Sequence, residues 1–117
     1  MSIQEVADQF YAHMQVAAYE KIYSELYSPD ATSDETPGSD WEKAIGMEAI
    51  FEKGKKWNDI IEAIQGGTTE KPVIAGNYFS CLMTMDFTPK GGERTLLTEI
   101  GLYHVVDGKI VSEQFFY

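Results

Sequence analysis

The last twenty residues, Thr98–Tyr117, constrain the fold of this chain more than any other stretch. Two runs rich in β-branched and aromatic residues flank Asp107-Gly108, and an Asp-Gly pair in that setting signals a tight β-hairpin. Two carboxylates, Glu99 and Glu113, interrupt the otherwise apolar arms. A charge inside a strand either faces water or is buried for a reason. Side chains alternate along a strand, so Glu113, Phe115 and Tyr117 share one face of the last arm. By the same rule Glu99, Gly101 and Tyr103 share one face of the arm before it.

Strand signals extend upstream to about residue 59. Ile60–Thr68 reads as a strand with a bulge or bend at Gly66-Gly67. Residues 73–88 read as one long strand or a strand pair, with Phe79, Cys81, Met83, Met85 and Phe87 on the core face. Residues 94–106 and 109–117 complete the sheet. The first half is helical in pattern. Ile3, Val6, Ala7, Phe10, Met14, Ala17 and Ala18 form an apolar stripe over 3–18, opened by a Ser2/Glu5 capping box. His13 sits on the flank of that stripe, as a partly exposed surface residue. A shorter helix is expected over 19–27, stopped by Pro29, and a third over 47–57. Residues 28–46, dominated by Ser, Asp, Thr, Pro and Gly, read as one long irregular loop. The order predicts one α+β domain over 1–117, with three N-terminal helices packed on a curved, mostly antiparallel sheet. One sheet face would then stay bare, and a homodimer through the sheet would cover it.

Composition narrows the partners. The net charge is −10, and residues 1–53 hold eleven Asp and Glu against three Lys. That field repels phosphate backbones and argues against nucleic acid. No apolar run approaches the ~20 residues of a membrane span, and no basic, apolar leader opens the chain, so a cytoplasmic protein is expected. The single Cys81 reads as a buried structural thiol. No metal-ligand spacing, phosphate loop or nucleophile elbow calls for a metal or a cofactor.

Three segments carry a resemblance: Leu26-Tyr-Ser-Pro-Asp-Ala31, Gly46-Met-Glu-Ala-Ile50 and Asp107-Gly-Lys-Ile-Val-Ser-Glu-Gln-Phe-Phe-Tyr117. With the helix–helix–loop–helix–meander order, they make the chain similar to the SnoaL-like branch of the nuclear transport factor 2-like superfamily. The chain most resembles its small bacterial members of unknown function. The resemblance implies a cone-shaped fold whose curved sheet wraps helices around a pocket. Superfamily members include polyketide cyclases, isomerases, hydrolases, dehydratases and non-enzymatic binding domains, so fold alone does not choose a chemistry. One departure stands out: the cyclases often carry an Asp after the terminal aromatics, and here the sequence stops at Tyr117.

The resemblance implies that Glu99 and Glu113 point into the cone. Two carboxyls in one apolar cavity would be raised by burial and mutual repulsion into the range of a general acid or base. Such a base takes a proton α to a carbonyl while Tyr103 or Tyr117 hydrogen-bonds the enolate oxygen. Alternatively both carboxylates face solvent, or are satisfied by Lys109, Arg94 or tyrosine hydroxyls. Tyr27, Trp41, Phe51 and Trp57, with Tyr103, Phe115 and Tyr117, are the expected ligand-binding wall for a small apolar molecule. Asp34 and Glu35 read as a solvated acidic loop. A non-catalytic small-molecule binder and a dimerisation module are the competing functions.

Overall fold

The computed structural model describes residues 1–117. In chain order the elements are α1 (Ile3–Gln15), α2 (Tyr19–Lys21) running into a π-helical turn (Ile22–Leu26), β1 (Tyr27–Asp34) and β2 (Ala44–Ile45). These are followed by α3 (Met47–Asp59), β3 (Ile61–Thr69), β4 (Val73–Ala75), β5 (Tyr78–Pro89), β6 (Thr95–Val106) and β7 (Lys109–Phe116). One curved sheet runs in the order β2-β1-β7-β6-β5-β3, with the short β4 pairing β5.

The α+β architecture with three helices and a curved sheet is present, but the helices do not all precede the strands. Part of the stretch expected to be irregular is β1 and β2, which lie between the second and third helices. β1 runs parallel to β7, with Ser33 opposite Glu113 and Asp34 opposite Gln114, while the remaining pairs are antiparallel. Ser, Pro and Asp have poor strand propensity, yet the free edge of β7 supplies a complete hydrogen-bonding partner, and pairing overrides composition. The second helix is also shorter than expected, one α turn followed by the π turn. α1 stops at Gln15, and the chain reverses through Ala17 in the left-handed region (φ 53°).

The terminal hairpin turns through Asp107 (φ 50°) and Gly108 (φ 75°), two successive left-handed residues, as a two-residue turn matched to strand twist requires. Gly66 marks a register shift on β3, and Gly67 is tightly seated, since a Cβ there would lie 2.8 Å from the Thr84 carbonyl oxygen. The core fills the space between the helices and the concave face. Val6, Ala7 and Phe10 of α1 meet Phe79, Cys81 and Met83 of β5, Tyr103 and Val105 of β6, and Ile110 of β7. Phe10 packs on Phe79 and Tyr103 at 5.3 and 4.6 Å between ring centroids. Burial pushes the Cys81 thiol up to about 12, as an inert core thiol requires. No helix is long and apolar enough to cross a membrane.

Candidate functional site

Strand register brings the site residues together. Tyr103 on β6 lies directly opposite Glu113 on β7, and Ser33 on β1 lies opposite Glu113 from the other side. Glu113 therefore sits at the centre of the concave face, where only 5% of its surface is exposed. Immediately before β1, the π-helical segment ends at Leu26 and delivers Tyr27, the first residue of β1, whose hydroxyl donates to Glu113 Oε1. π turns recur at functional positions because the extra residue re-aims the side chains that follow. The Ser33 hydroxyl donates to Glu113 Oε2 at 2.6 Å. Lys53, from α3, donates to Ser33 Oγ at 2.7 Å and pairs with Glu35 at 3.5 Å. Both members of that ion pair are largely buried, with 14% and 17% of their side chains exposed.

Glu99 lines the same cavity two residues before Gly101. The Tyr103 side chain lies over Gly101, where a Cβ would stand 2.6 Å from the tyrosine hydroxyl and 2.7 Å from Met83 Cε. Glycine thus makes the room that Tyr103 occupies. The Tyr103 hydroxyl reaches only Met83 Sδ, at 3.8 Å, a weak acceptor. The cavity measures about 1540 Å³ with its open mouth. Tyr23, Tyr27, Phe51, Trp57, Tyr103 and Phe115 give it an aromatic lining. These rings brace one another: Tyr23 meets Tyr27 at 5.0 Å and Phe51 at 5.5 Å, and Trp57 meets Phe87 at 5.3 Å.

The electrostatics follow from burial. Desolvation raises Glu113, while the Ser33 and Tyr27 hydroxyls and the Lys53 charge pull it back down. Glu99 is raised to about 7, first by desolvation and then by Glu35 and Glu113, with Lys53 opposing. No protein donor contributes to its balance. Glu35 is raised by burial, with Lys53 opposing. Burial and the Glu113 charge hold the Tyr27 and Tyr103 hydroxyls protonated, well above the usual phenol range.

Of the residues read from the sequence, Glu99, Glu113, Tyr27, Phe51, Trp57, Tyr103 and Phe115 line one cavity. Trp41 and Tyr117 lie outside it. Trp41 packs edge-on against Trp57 at 6.3 Å and lines a polar outer groove with Lys43, Lys53 and Lys56. Tyr117 follows the last strand residue, escapes the strand's alternation, and is 51% exposed with its hydroxyl 3.4 Å from Ser39 Oγ. Neither Lys109 nor Arg94 reaches the carboxylates, because Lys109 bonds the Glu25 carbonyl at 2.7 Å and Arg94 holds Asp86 through two bonds. Glu35 corrects the expectation of a solvated acidic loop: it turns inward to Lys53, and Asp34 alone stays outside with Lys43 at 3.4 Å. Ser33, Lys53 and Tyr23 were not legible as site residues. For Lys53 a signal did exist, since it stands at i+3 from Ile50 on the apolar stripe of α3. No group of His, Cys, Asp and Glu is arranged to hold a metal ion.

A family model for the SnoaL-like domain matches residues 1–117. The chain belongs to the SnoaL-like family. A solved structure from Mesorhizobium loti, provisionally described as a SnoaL-like polyketide cyclase, is 32% identical over 100% of both chains with a TM-score of 0.92. A nuclear transport factor 2-like protein of unknown function from Burkholderia pseudomallei is similar in fold, at 14% identity over 100% of this chain and 92% of its own, with a TM-score of 0.80. A third, TerC co-crystallised with polyporic acid, shares 17% identity over 98% of this SnoaL-like chain and 90% of its own, with a TM-score of 0.78. No curated protein matches the sequence.

The raised carboxyls make stability depend on pH with a definite sign. In the unfolded chain each glutamate loses its proton near 4.5, whereas folded Glu99 keeps it to about 7. Between those values the native state binds more protons than the unfolded state, so stability falls as pH rises. Glu35 and Glu113 are raised too and act in the same direction. Melting curves from about pH 4.5 to about pH 8 are expected to show a steeper loss of stability for the wild type than for Glu99→Gln, which cannot ionise. Parallel profiles for the two proteins would contradict the assignment.

Proposed function

We propose that this SnoaL-like protein binds a small apolar carbonyl compound in its cavity and moves a proton on it without a cofactor. The chemistry would be of the isomerase, cyclase or hydrolase type. One observation carries the reading: Glu99 is a cavity carboxyl with no protein donor, held at about 7. A base works best when its pKa lies near the working pH and its oxygens are free. Glu113 is less free to act, because donors occupy both of its oxygens. In the proposed step a Glu99 oxygen takes the proton α to the carbonyl, and the C–H electron pair moves into the carbon–carbon bond of an enolate. The Tyr103 hydroxyl, otherwise facing only a sulfur, donates to the enolate oxygen. Glu99 then returns the proton to carbon or oxygen. TerC, a protein of the same fold, was co-crystallised with a small molecule, polyporic acid.

A test needs no knowledge of the natural substrate. With 2-tetralone as probe, in heavy water, the wild type is expected to accelerate deuterium incorporation beside the carbonyl. Glu99→Gln is expected to lower that rate by about 10²–10⁴-fold. Exchange at the wild-type rate in the variant would remove Glu99 from the chemistry. Saturable binding of 2-tetralone with no exchange would favour a non-catalytic binder.

We also propose a homodimer through the convex face of the sheet. Cross-strand register aligns Leu82, Ile100 and Phe116 in one row over three strands, exposed by 47%, 47% and 37%. A contiguous apolar row on an open sheet marks an interaction surface. Light scattering is expected to give twice the 13.2 kDa chain mass, and Ile100→Lys to reduce it to the single chain. A wild-type monomer at micromolar concentration would refute this.

A further inference from the structure

The mechanism above uses Glu99 and leaves unexplained why a second carboxyl is buried beside it. Lysine has three donors and no acceptor. Because Lys53 donates to Ser33 Oγ at 2.7 Å, the single Ser33 proton is directed away from Lys53, towards Glu113 Oε2 at 2.6 Å. Tyr27 donates to Oε1. The chain therefore has one direction, with donors entering both Glu113 oxygens and none leaving. Each Glu113 oxygen thus accepts a hydroxyl proton, and such bonds favour the proton-free form. Tyr27 and Glu113 line the inner cavity, and Lys53 lines the outer groove.

We propose that Lys53 is a positioning residue which, acting through Ser33, fixes Glu113 as a proton-free acceptor and so leaves Glu99 as the one cavity carboxyl free to exchange protons with a bound molecule. The purpose of this division rests on the proton-transfer reading above, whereas the donor chain itself does not. The charged and titratable groups facing the pair are Glu35 from the segment after β1, Lys53 from α3, Tyr23 and Tyr27 from the π turn and its end, and Tyr103 from β6. Glu35, together with Glu113 itself, opposes ionisation of Glu99. Lys53 favours ionisation of all three carboxyls, and it is the one cation connected to Glu113 by hydrogen bonds, through Ser33. Loss of Lys53 or Ser33 therefore acts chiefly on Glu113. Once Glu113 is neutral, Glu99 loses one of the charges that raised it, so Ser33→Ala shifts the two midpoints in opposite directions. Lysine loss removes a cation from Glu99 as well, which makes Ser33→Ala the cleaner probe.

Carbon-13 NMR of the glutamate side-chain carboxyls, followed against pH with no ligand present, tests the assignment. In the wild type Glu113 is expected to ionise at lower pH than Glu99. Ser33→Ala and Lys53→Met are both expected to move the Glu113 midpoint upward. Lys53→Arg, which keeps the charge and the donors, is expected to restore it. Lys53→Met also strands Glu35 without its cation, so Lys53→Met/Glu35→Gln provides a version with no unpaired charge. A wild-type Glu113 that ionises together with Glu99 or above it overturns the proposal. So does a Glu113 midpoint unmoved in Ser33→Ala. Failure of 2-tetralone exchange would end the proton-transfer reading while leaving these titrations as they stand, and the two proposals can fall separately.

Discussion

A carboxylate buried in an apolar interior is costly unless hydrogen bonds and an opposite charge compensate it. Glu113 lies at the centre of the concave sheet, and its compensation draws on both ends of β1 and on α3. Tyr27 opens β1 just after the π turn, Ser33 lies near the end of β1, and Lys53 comes from α3. This requirement ties local features to one another. β1 must pair parallel with β7 in the register that sets Ser33 opposite Glu113. α3 must lie against β1 so that Lys53 reaches the hydroxyl. The turn before β1 must end where Tyr27 meets the first oxygen. Removing Tyr27 or Ser33 takes a donor from a buried Glu113 oxygen, and such losses are among the larger ones a single substitution causes.

The same arrangement gives two identical side chains different chemistry. Glu113 is buried and Glu99 half-buried in the same cavity, but only Glu113 is furnished with donors. Desolvation acts on Glu99 with little opposition, and the charges of Glu35 and Glu113 add to it. Two like groups in unlike surroundings are the usual way in which one site divides acid and base roles. The aromatic lining keeps the local dielectric low and leaves space for an apolar body. Gly101 clears the volume that Tyr103 fills, so its hydroxyl stands in the cavity with only a thioether to bond.

Much of this was legible in the sequence. The Asp107-Gly108 turn fixed the last hairpin, and period-2 alternation placed Glu99, Tyr103, Glu113 and Phe115 on one face. Helical spacing marked Val6, Ala7 and Phe10 as the inner side of α1. The partners of Glu113 were not legible, for physical reasons. β1 has the composition of a loop and becomes a strand only because β7 offers an edge. The parallel partner of a strand cannot be read from local pattern, since its register depends on distant residues. Lys53 lies in a lysine-rich helix where exposure is the default, and only its place on the Ile50 stripe sets it apart. Tyr117 shows the opposite failure: alternation was extended one residue beyond the strand that enforces it.

Neutron diffraction from deuterated crystals near neutral pH tests the central claim most directly, because it locates the protons themselves. The account predicts deuterium on Ser33 Oγ and on the Tyr27 hydroxyl, each directed at Glu113, with none bound to either Glu113 oxygen. It also predicts partial deuterium occupancy on Glu99. A deuterium bound to Glu113, with Glu99 bare, would contradict it.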